Sequence, residues 1–353
     1  MNVPQHIIEH LKDLNSQAEA VGGCKVFLVG GAVRDLMLGK EPKDYDFVTN
    51  LAPDLVSKLG FPQVGKSFPV YHTGVGELAT TRTERKTGTG YTGFETYYTP
   101  SFKEDCLRRD LTVNAMLWHP DMGLVCPIER SAADLHEGKL HACSSAFVED
   151  PLRVLRVARF ASRQDKPWMV TTETFKMMEI AAKELHHLPS DRIRMELSRA
   201  KSIVKFHYIL NLNAVVAKEV QKWFPVYNYR HFDGMDESFN LIEYLSCFDA
   251  EVRKSAILRL GFSASHVSAA NTYEAIRNGI NTPAELVSIW KASRRGLDLP
   301  WETICEPLKL MKESMDALDF NGVDPVIIHE KMNECAYYAL FNSGFLAKSK
   351  KVN

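Results

Sequence analysis

VFLVGGAVRDLMLGKEPKDYDFVT, residues 26–49, is the stretch whose reading decides the fold. It opens on an apolar run, Val26 to Val29, that reads as a short strand. The pair Gly30-Gly31 follows, then Arg34 and Asp35 on a short helix that Gly39 and Pro42 break. A second run of alternating apolar residues carries Asp44 and Asp46. The order is strand, glycine turn, helix, loop, strand. Side chains two apart on a strand point the same way, so Asp44 and Asp46 project side by side. They do so just past a turn whose glycines let backbone approach a phosphate closely. Two adjacent carboxylates on a rigid strand make a seat for Mg²⁺. Metal and phosphate together point to phosphoryl or nucleotidyl transfer. An isolated D-x-D is common on surface strands and loops; the GGAVRD upstream is what sets this one apart. Asp35 has a second reading, a helix carboxylate paired with Arg34 or another base.

Working outward, the 353 residues are enough for two or more domains, or for one extended modular body. Apolar residues make up 45%, enough for a real core. A formal net charge of -1 argues against a wholly basic nucleic-acid coat, though a local basic groove is compatible with it. The seven cysteines form no CxxC pair and read as reduced thiols rather than a disulfide framework or zinc site. No charged-then-apolar leader opens the sequence, and no apolar run approaches the roughly 18 residues of a membrane span. The expectation is a soluble, cytoplasmic protein.

Residues 4–20 place Ile7, Ile8, Leu11 and Leu14 at helical spacing, and Gly22-Gly23 end that helix. Residues 24–120 mix short β-like runs (68–75, 76–83, 91–99) with turns, and 102–118 read as a helix. From about 144 onward helical patterns dominate: 149–163, 172–185, 190–203, 206–222, 235–261, 264–278, 282–295, 301–317 and 324–341. The fold class is α+β, a small mixed-sheet head followed by an all-α body and tail.

Two further constellations carry chemistry. Arg108-Arg109-Asp110, with Asn114, offers an arginine for triphosphate or ribose oxygens. Successive helical residues splay by about 100°, so one of the two arginines faces a given ligand. The competing reading pairs them with Glu104 or Asp105 along the helix. In EDPLRVLRVARFASR, residues 149–163, Glu149 and Asp150 stand at a helix start, with Pro151 in its first turn. Arg153, Arg156, Arg159 and Arg163 follow along one stripe, with Leu152, Leu155 and Phe160 assigned to the opposite, buried side. A solvated charge face would mix lysine and glutamate; an all-arginine stripe favours an anionic ligand.

These motifs closely resemble those of the class II tRNA nucleotidyltransferases, the CCA-adding enzymes of the polymerase-beta-like superfamily, which share their head with bacterial poly(A) polymerases. The resemblance covers about residues 24–225. It rests on LVGGAVRD…KDYD (28–46), RTERKTGTGYTGF (82–94), RRDLTVNA (108–115), EDPLRVLRVARFA (149–161) and DRIRMEL (191–197). It implies a polymerase-beta-like head (24–145) and a base-recognising neck (146–225); helical spacing makes 1–23 an N-terminal helical extension, and 226–353 are placed by position as a helical body and tail. By that resemblance Asp44 and Asp46 are catalytic and hold Mg²⁺ in a two-metal displacement. Gly31 and Arg34 contact the triphosphate, and Arg109 binds the nucleotide. Asp150 and Arg153 form a protein template for the base, with Arg156 and Arg159 reaching phosphate or orienting the template. Glu77 is the candidate third carboxylate.

The template idea is chemically sound. A carboxylate accepts from the exocyclic amine of cytosine or adenine, and a guanidinium donates to ring nitrogen or carbonyl oxygen. Uracil and guanine would turn a carbonyl oxygen toward the carboxylate. The implied partners are CTP, ATP and the acceptor end and elbow of tRNA; the implied activity is template-independent addition of C, C and A. The sequence departs from the family in CPIERSAADLHEGKLHA (126–142), where Cys126 and His141 replace an aspartate and an arginine, the glycine is missing, and Asp134 survives. That stretch serves as a hinge between C and A addition in the family, so the departure bears on the switch. No His-Asp dipeptide of a phosphohydrolase domain is present. Basic clusters at 291–295 and 348–351 are candidates for phosphate contacts. Competing functions are a poly(A) polymerase, an enzyme adding only A or only CC, and a tRNA-binding relative without catalysis.

Overall fold

The structure is a computed structural model that describes residues 1–64, 69–88, 93–163, 165–222 and 241–278. Beyond 278 it describes 286, 287, 289, 310, 311, 313–315 and 325–342. The chain divides into two compact units, Met1–Glu237 and Ser238–Asn353.

The first unit opens on α1 (Gln5–Gly22), which buries Ile7, Leu11, Leu14 and Ala18, spaced by fours and threes as one helical face requires. Gly23, at φ 64°, ends it in the left-handed conformation. Then come β1 (Val26–Val29), α2 (Gly31–Met37), β2 (Asp46–Thr49), α3 (Pro53–Val56), β3 (Gln63–Val64), β4 (Val70–His72) and β5 (Glu77–Thr80). The hairpin of β6 (Arg82–Lys86) and β7 (Phe94–Tyr98) forms its own two-stranded sheet. After α4 (Phe102–Leu107), β8 (Leu117–His119) and β9 (Gly123–Val125) complete the main sheet. Its order is β3-β4-β5-β2-β1-β8-β9. β2 and β5 run parallel, the other neighbours antiparallel.

Register decides which face carries the chemistry. Asp46 lies opposite Val29 on one side and Glu77 on the other, while Phe27 lies opposite Val48. Facing residues share a side of the sheet. That side buries Phe27, Val29 and Val48 with Cys106, Ala115, Leu117 and Cys143. The reverse side takes α1. There Asn15 mimics a strand, accepting from the Val26 amide at 2.8 Å and donating to its carbonyl at 2.9 Å.

The expected helix over 102–118 is overturned. Only Phe102–Leu107 is α-helical; a short 3₁₀ turn at Thr112–Asn114 leads into β8. The Asp110 carboxylate accepts from the Leu111 amide (2.8 Å) and the Asn114 side chain (3.0 Å). Such local side-chain bonds offer the backbone an alternative to helix.

The rest of this unit is α5 (Ser131–Glu137), β10 (Lys139–Leu140), α6 (Leu152–Ala161), β11 (Met169–Val170), α7 (Thr172–Ala182), α8 (Ser190–Ser198), α9 (Ile203–Asn211) and α10 (Ala214–Gln221). The single helix expected over 206–222 is two, because Asn213 caps the second through the Val215 and Val216 amides. In the second unit α11 (Leu241–Ser246) and α12 (Ala250–Arg259) share the span 235–261 read as one helix. α13 (Ala264–Asn278) and α14 (Pro325–Asn342) follow. The basic clusters at 291–295 and 348–351 lie outside the described residues.

Candidate active site

A cavity of about 490 Å³ opens in the first unit between the glycine turn, β2, the Arg108–Asn114 segment, α6 and α8. Eight arginines line it against four carboxylates, Asp46, Asp110, Asp150 and Glu196. That excess of fixed positive charge selects an anion.

The glycine turn forms the floor. Gly30 takes φ 74°, a left-handed conformation that suits glycine, and a Cβ there would stand 3.4 Å from Arg109 Nη1. Its amide is bonded to the Met116 carbonyl at 3.2 Å. Arg34 donates to both Asp35 oxygens at 2.9 Å and to Asn114 Oδ1, and lies over the Phe160 ring at 5.0 Å. Asp35 is therefore the carboxylate partner of Arg34, and also accepts from Arg163.

Both RRD arginines use Asp105. Arg109 Nη2 donates to it at 2.9 Å, four residues on as the helix-pair reading anticipated. Arg108 bonds Asp105 and Glu84. Pairing and lining coexist: both arginines face the cavity. The buried Arg109 Nε has no partner among the described residues.

Asp150 accepts from the Leu152 amide at 2.9 Å, at the start of α6. Burial holds its carboxyl above the usual carboxylate range, against the pull of Arg153. Arg153 donates to the Ala146 and Arg108 carbonyls at 2.9 and 2.6 Å, with its Nε 3.8 Å from Asp150. Arg156 bonds Asp110 at 2.7 Å, and Arg159 donates to Glu196 at 2.5 Å. Burial would raise the Asp110 carboxyl, but Arg156, Asn114 and the Leu111 amide hold it well below the usual range.

Asp46 lines the cavity at the start of β2. Asp44 lies two residues before that strand, exposed and outside the cavity wall. Burial first, then Glu77 and Asp44, push the Asp46 carboxyl above its ordinary value, against Arg109. Clustered like charges are what a cation relieves. No three His, Cys, Asp or Glu side chains among the described residues form a ready-made cage.

Of the sequence-predicted residues, Gly31, Arg34, Asp46, Arg109, Asp150, Arg153, Arg156 and Arg159 line this one cavity. The placing of Leu152 and Phe160 on the side away from the arginines is overturned; both line the cavity. Leu152 is one helical turn from Arg156, and Phe160 two turns from Arg153, so they share that stripe. Sequence reasoning missed the α8 wall, Arg192, Met195, Glu196 and Arg199. DRIRMEL was the signal for it. The altered stretch at 126–142 also has a defined centre: Asp134 accepts from Thr112 (2.7 Å), pairs with His141 Nδ1 (2.9 Å) and lies 3.4 Å from Arg130.

A sequence profile of the poly A polymerase head domain matches residues 26–141. The multifunctional CCA protein of Pseudoalteromonas atlantica is 37% identical over 307 residues, covering 83% of this chain and 73% of that protein. The chain belongs to the CCA-adding enzyme family. Another family member, the multifunctional CCA protein of Psychromonas ingrahamii, is 46% identical over 184 residues, 50% of this chain and 45% of that one. The matched part thus spans about half the length of several of these CCA-adding relatives. The fold agrees with that of the Bacillus stearothermophilus CCA-adding enzyme in complex with CTP. That likeness has a TM-score of 0.64 at 21% identity, covering 96% of this chain and 92% of that one.

Proposed function

We propose that this chain adds C, C and A to tRNA 3′ ends from CTP and ATP, without a nucleic-acid template, releasing pyrophosphate. The observation that carries the reading is one cavity gathering a metal-type carboxylate, a phosphate-approaching glycine turn and an acid–arginine pair at a helix start. Membership in the CCA-adding family supports it. Gly31, Arg34 and Arg109, which line the cavity, receive the triphosphate. Asp150 and Arg153 read the base edge. Two backbone carbonyls fix the Arg153 guanidinium, which a selective donor requires. Arg156 and Arg159, tied to Asp110 and Glu196, set the far wall.

Asp44 and Asp46, with Glu77 beside them, would hold Mg²⁺. The ion supplies Lewis-acid stabilisation and activation of the attacking hydroxyl. Residues 24–145 would act as head, 146–225 as neck, and 226–353 as the tRNA-holding body. No helix among the described residues is long and apolar enough to cross a membrane. The thiols of Cys24, Cys106, Cys126, Cys143, Cys247 and Cys335 are free, in keeping with a cytoplasmic setting.

The test is incorporation of labelled CTP, ATP, UTP and GTP into tRNA lacking its CCA end, with sequencing of the product ends. CCA from CTP and ATP alone is expected. Long ATP-only tails would make the protein a poly(A) polymerase; arrest after CC, or A addition only to tRNA ending in CC, would make it a partial enzyme. Asp46→Ala should lower incorporation by about 10³-fold or more, since the metal seat is worth several kcal/mol. Binding of tRNA, read by gel shift, should persist.

A further inference from the structure

The helix α1 lies behind the sheet, on the face opposite Asp46, and its histidines meet the strand that carries the carboxylates. The His6 ring stands edge-on to Tyr45, with centroids 6.3 Å apart, and the His10 ring meets Phe47 at 5.4 Å. Tyr45 and Phe47 alternate with Asp44 and Asp46 along the chain. Their rings rest on α1 while the Asp46 carboxylate faces the cavity.

A second contact reaches the same place from the side. His10 Nε2 lies 2.9 Å from Thr73 Oγ1. Thr73 closes a tight turn: its hydroxyl and amide each donate to the Gly76 carbonyl at 2.9 Å, and Gly74 within it takes φ 84°. With the hydroxyl proton directed to Gly76, the imidazole serves as the donor to Thr73. The turn delivers Glu77 beside Asp46 in the parallel pair β2–β5. It also presses Gly76 against the backbone between the two aspartates, so closely that a Cβ would lie 1.8 Å from the Tyr45 carbonyl oxygen. His10 is therefore joined to the acidic cluster along two short paths, through Phe47 and through Thr73–Gly76. Asn15 fixes the helix that carries it to β1.

We propose that His10 is a positioning residue for the carboxylates Asp44, Asp46 and Glu77, holding from behind the sheet the backbone positions from which they reach a divalent cation. The proposal deepens the functional reading above and rests on it. Residues that orient ligands from outside the coordination shell typically affect metal affinity by about 10- to 100-fold.

Mn²⁺ alone, added to the full-length protein and followed by electron paramagnetic resonance of the free ion, reads the site without turnover. His10→Ala is expected to weaken Mn²⁺ binding by about 10-fold. It should raise the Mn²⁺ concentration needed for half-maximal incorporation to match, with the nucleotide KM unchanged and kcat recovered at saturating Mn²⁺. His10→Gln, which keeps a donor toward Thr73, is expected to restore most of the affinity. Thr73→Val, a smaller change at the other end of the bond, should weaken Mn²⁺ binding in the same direction and covers the case in which His10→Ala does not fold. Leu11→Val, on the same helix, controls for lost stability and should leave Mn²⁺ affinity unchanged. A drop in Tm for His10→Ala with wild-type Mn²⁺ affinity would overturn the proposal. Asp46→Ala marks the other failure: if it too binds Mn²⁺ like the wild type, the metal reading itself falls, and the positioning role with it.

Discussion

In the proposed reading, Asp150 and Arg153 stand in for a template base. Arg153 has little freedom: two carbonyls take two of its N–H groups, and it is only 8% exposed. A fixed guanidinium beside a fixed carboxylate presents one donor and acceptor pattern, and a wrong base leaves a buried polar group unmatched. A good paired contact discriminates by about 1–3 kcal/mol, or roughly 10- to 100-fold. Asp150→Ala and Arg153→Ala should each lower rejection of UTP and GTP by about that factor, read as kcat/KM ratios among the four nucleotides. Unchanged rejection in both would remove the template assignment. Asp110 is the counterpart that sequence reading ranked too low. It bridges Asn114, which holds Arg34, and Arg156, so the glycine-turn and α6 sides of the cavity meet at one carboxylate. RRD displayed it, but its role depends on α6, which lies some forty residues further on.

At the scale of elements, the β2–β5 pair and the α5 segment make different demands. Gly76 lets β5 start against the Tyr45 carbonyl, and no rotamer change could relieve a Cβ clash with backbone. Gly76→Ala should cost about 1–3 kcal/mol through forced backbone shifts, checked by urea unfolding. The Asp134 knot concerns the stretch that departs from the family pattern. Asp134 joins α5 to Thr112 and to His141, the histidine that stands where the family pattern has an arginine. Asp134→Ala strands a buried hydroxyl and imidazole and should cost about 1–3 kcal/mol. If the segment serves the switch between additions, the variant should also accumulate tRNA ending in CC, seen by sequencing product ends. Much of this was legible locally. Residues 26–49 declared strand, turn and helix because each signal sits within a few residues of the next. The helix expected over 102–118 failed because Asp110 captures the Leu111 amide, a competition that periodicity does not register. Phe160 was misplaced by angle alone, while the α8 wall needed the tertiary fold that brings residues 192–199 against 152–160.

For the whole molecule, the sequence located the change from mixed sheet to helices, and the structure divides the chain at Glu237 and Ser238. Strand order and the parallel pairing of β2 with β5 were beyond periodicity, because pairing partners are chosen at long range. Each unit has a buried polar residue that ties its stability to a measurable variable. In the second unit Arg253, 1% exposed, donates to the Ser246 and Phe248 carbonyls and pairs with Glu274, linking α11, α12 and α13. Arg253→Met leaves those partners unmatched and should speed amide hydrogen exchange in these three helices, consistent with a loss of about 3 kcal/mol. In the first unit His207 on α9 is 1% exposed, its Nδ1 bonded to the Ile203 carbonyl at 2.9 Å. Burial pushes its pKa down to about 3, against the pull of that carbonyl, from an ordinary 6.5. Between those values the unfolded chain takes up a proton that the folded chain refuses, so stability falls as pH drops through the window. Near 1.4 kcal/mol per pH unit, moving from pH 7 to pH 5 should cost about 2 kcal/mol at this site. His207→Leu removes the titrating group while keeping an apolar side chain. Urea midpoints at pH 7 and pH 5 should therefore converge in the variant relative to the wild type. Equal acid sensitivity in the two proteins would show that His207 is not held neutral in the folded state.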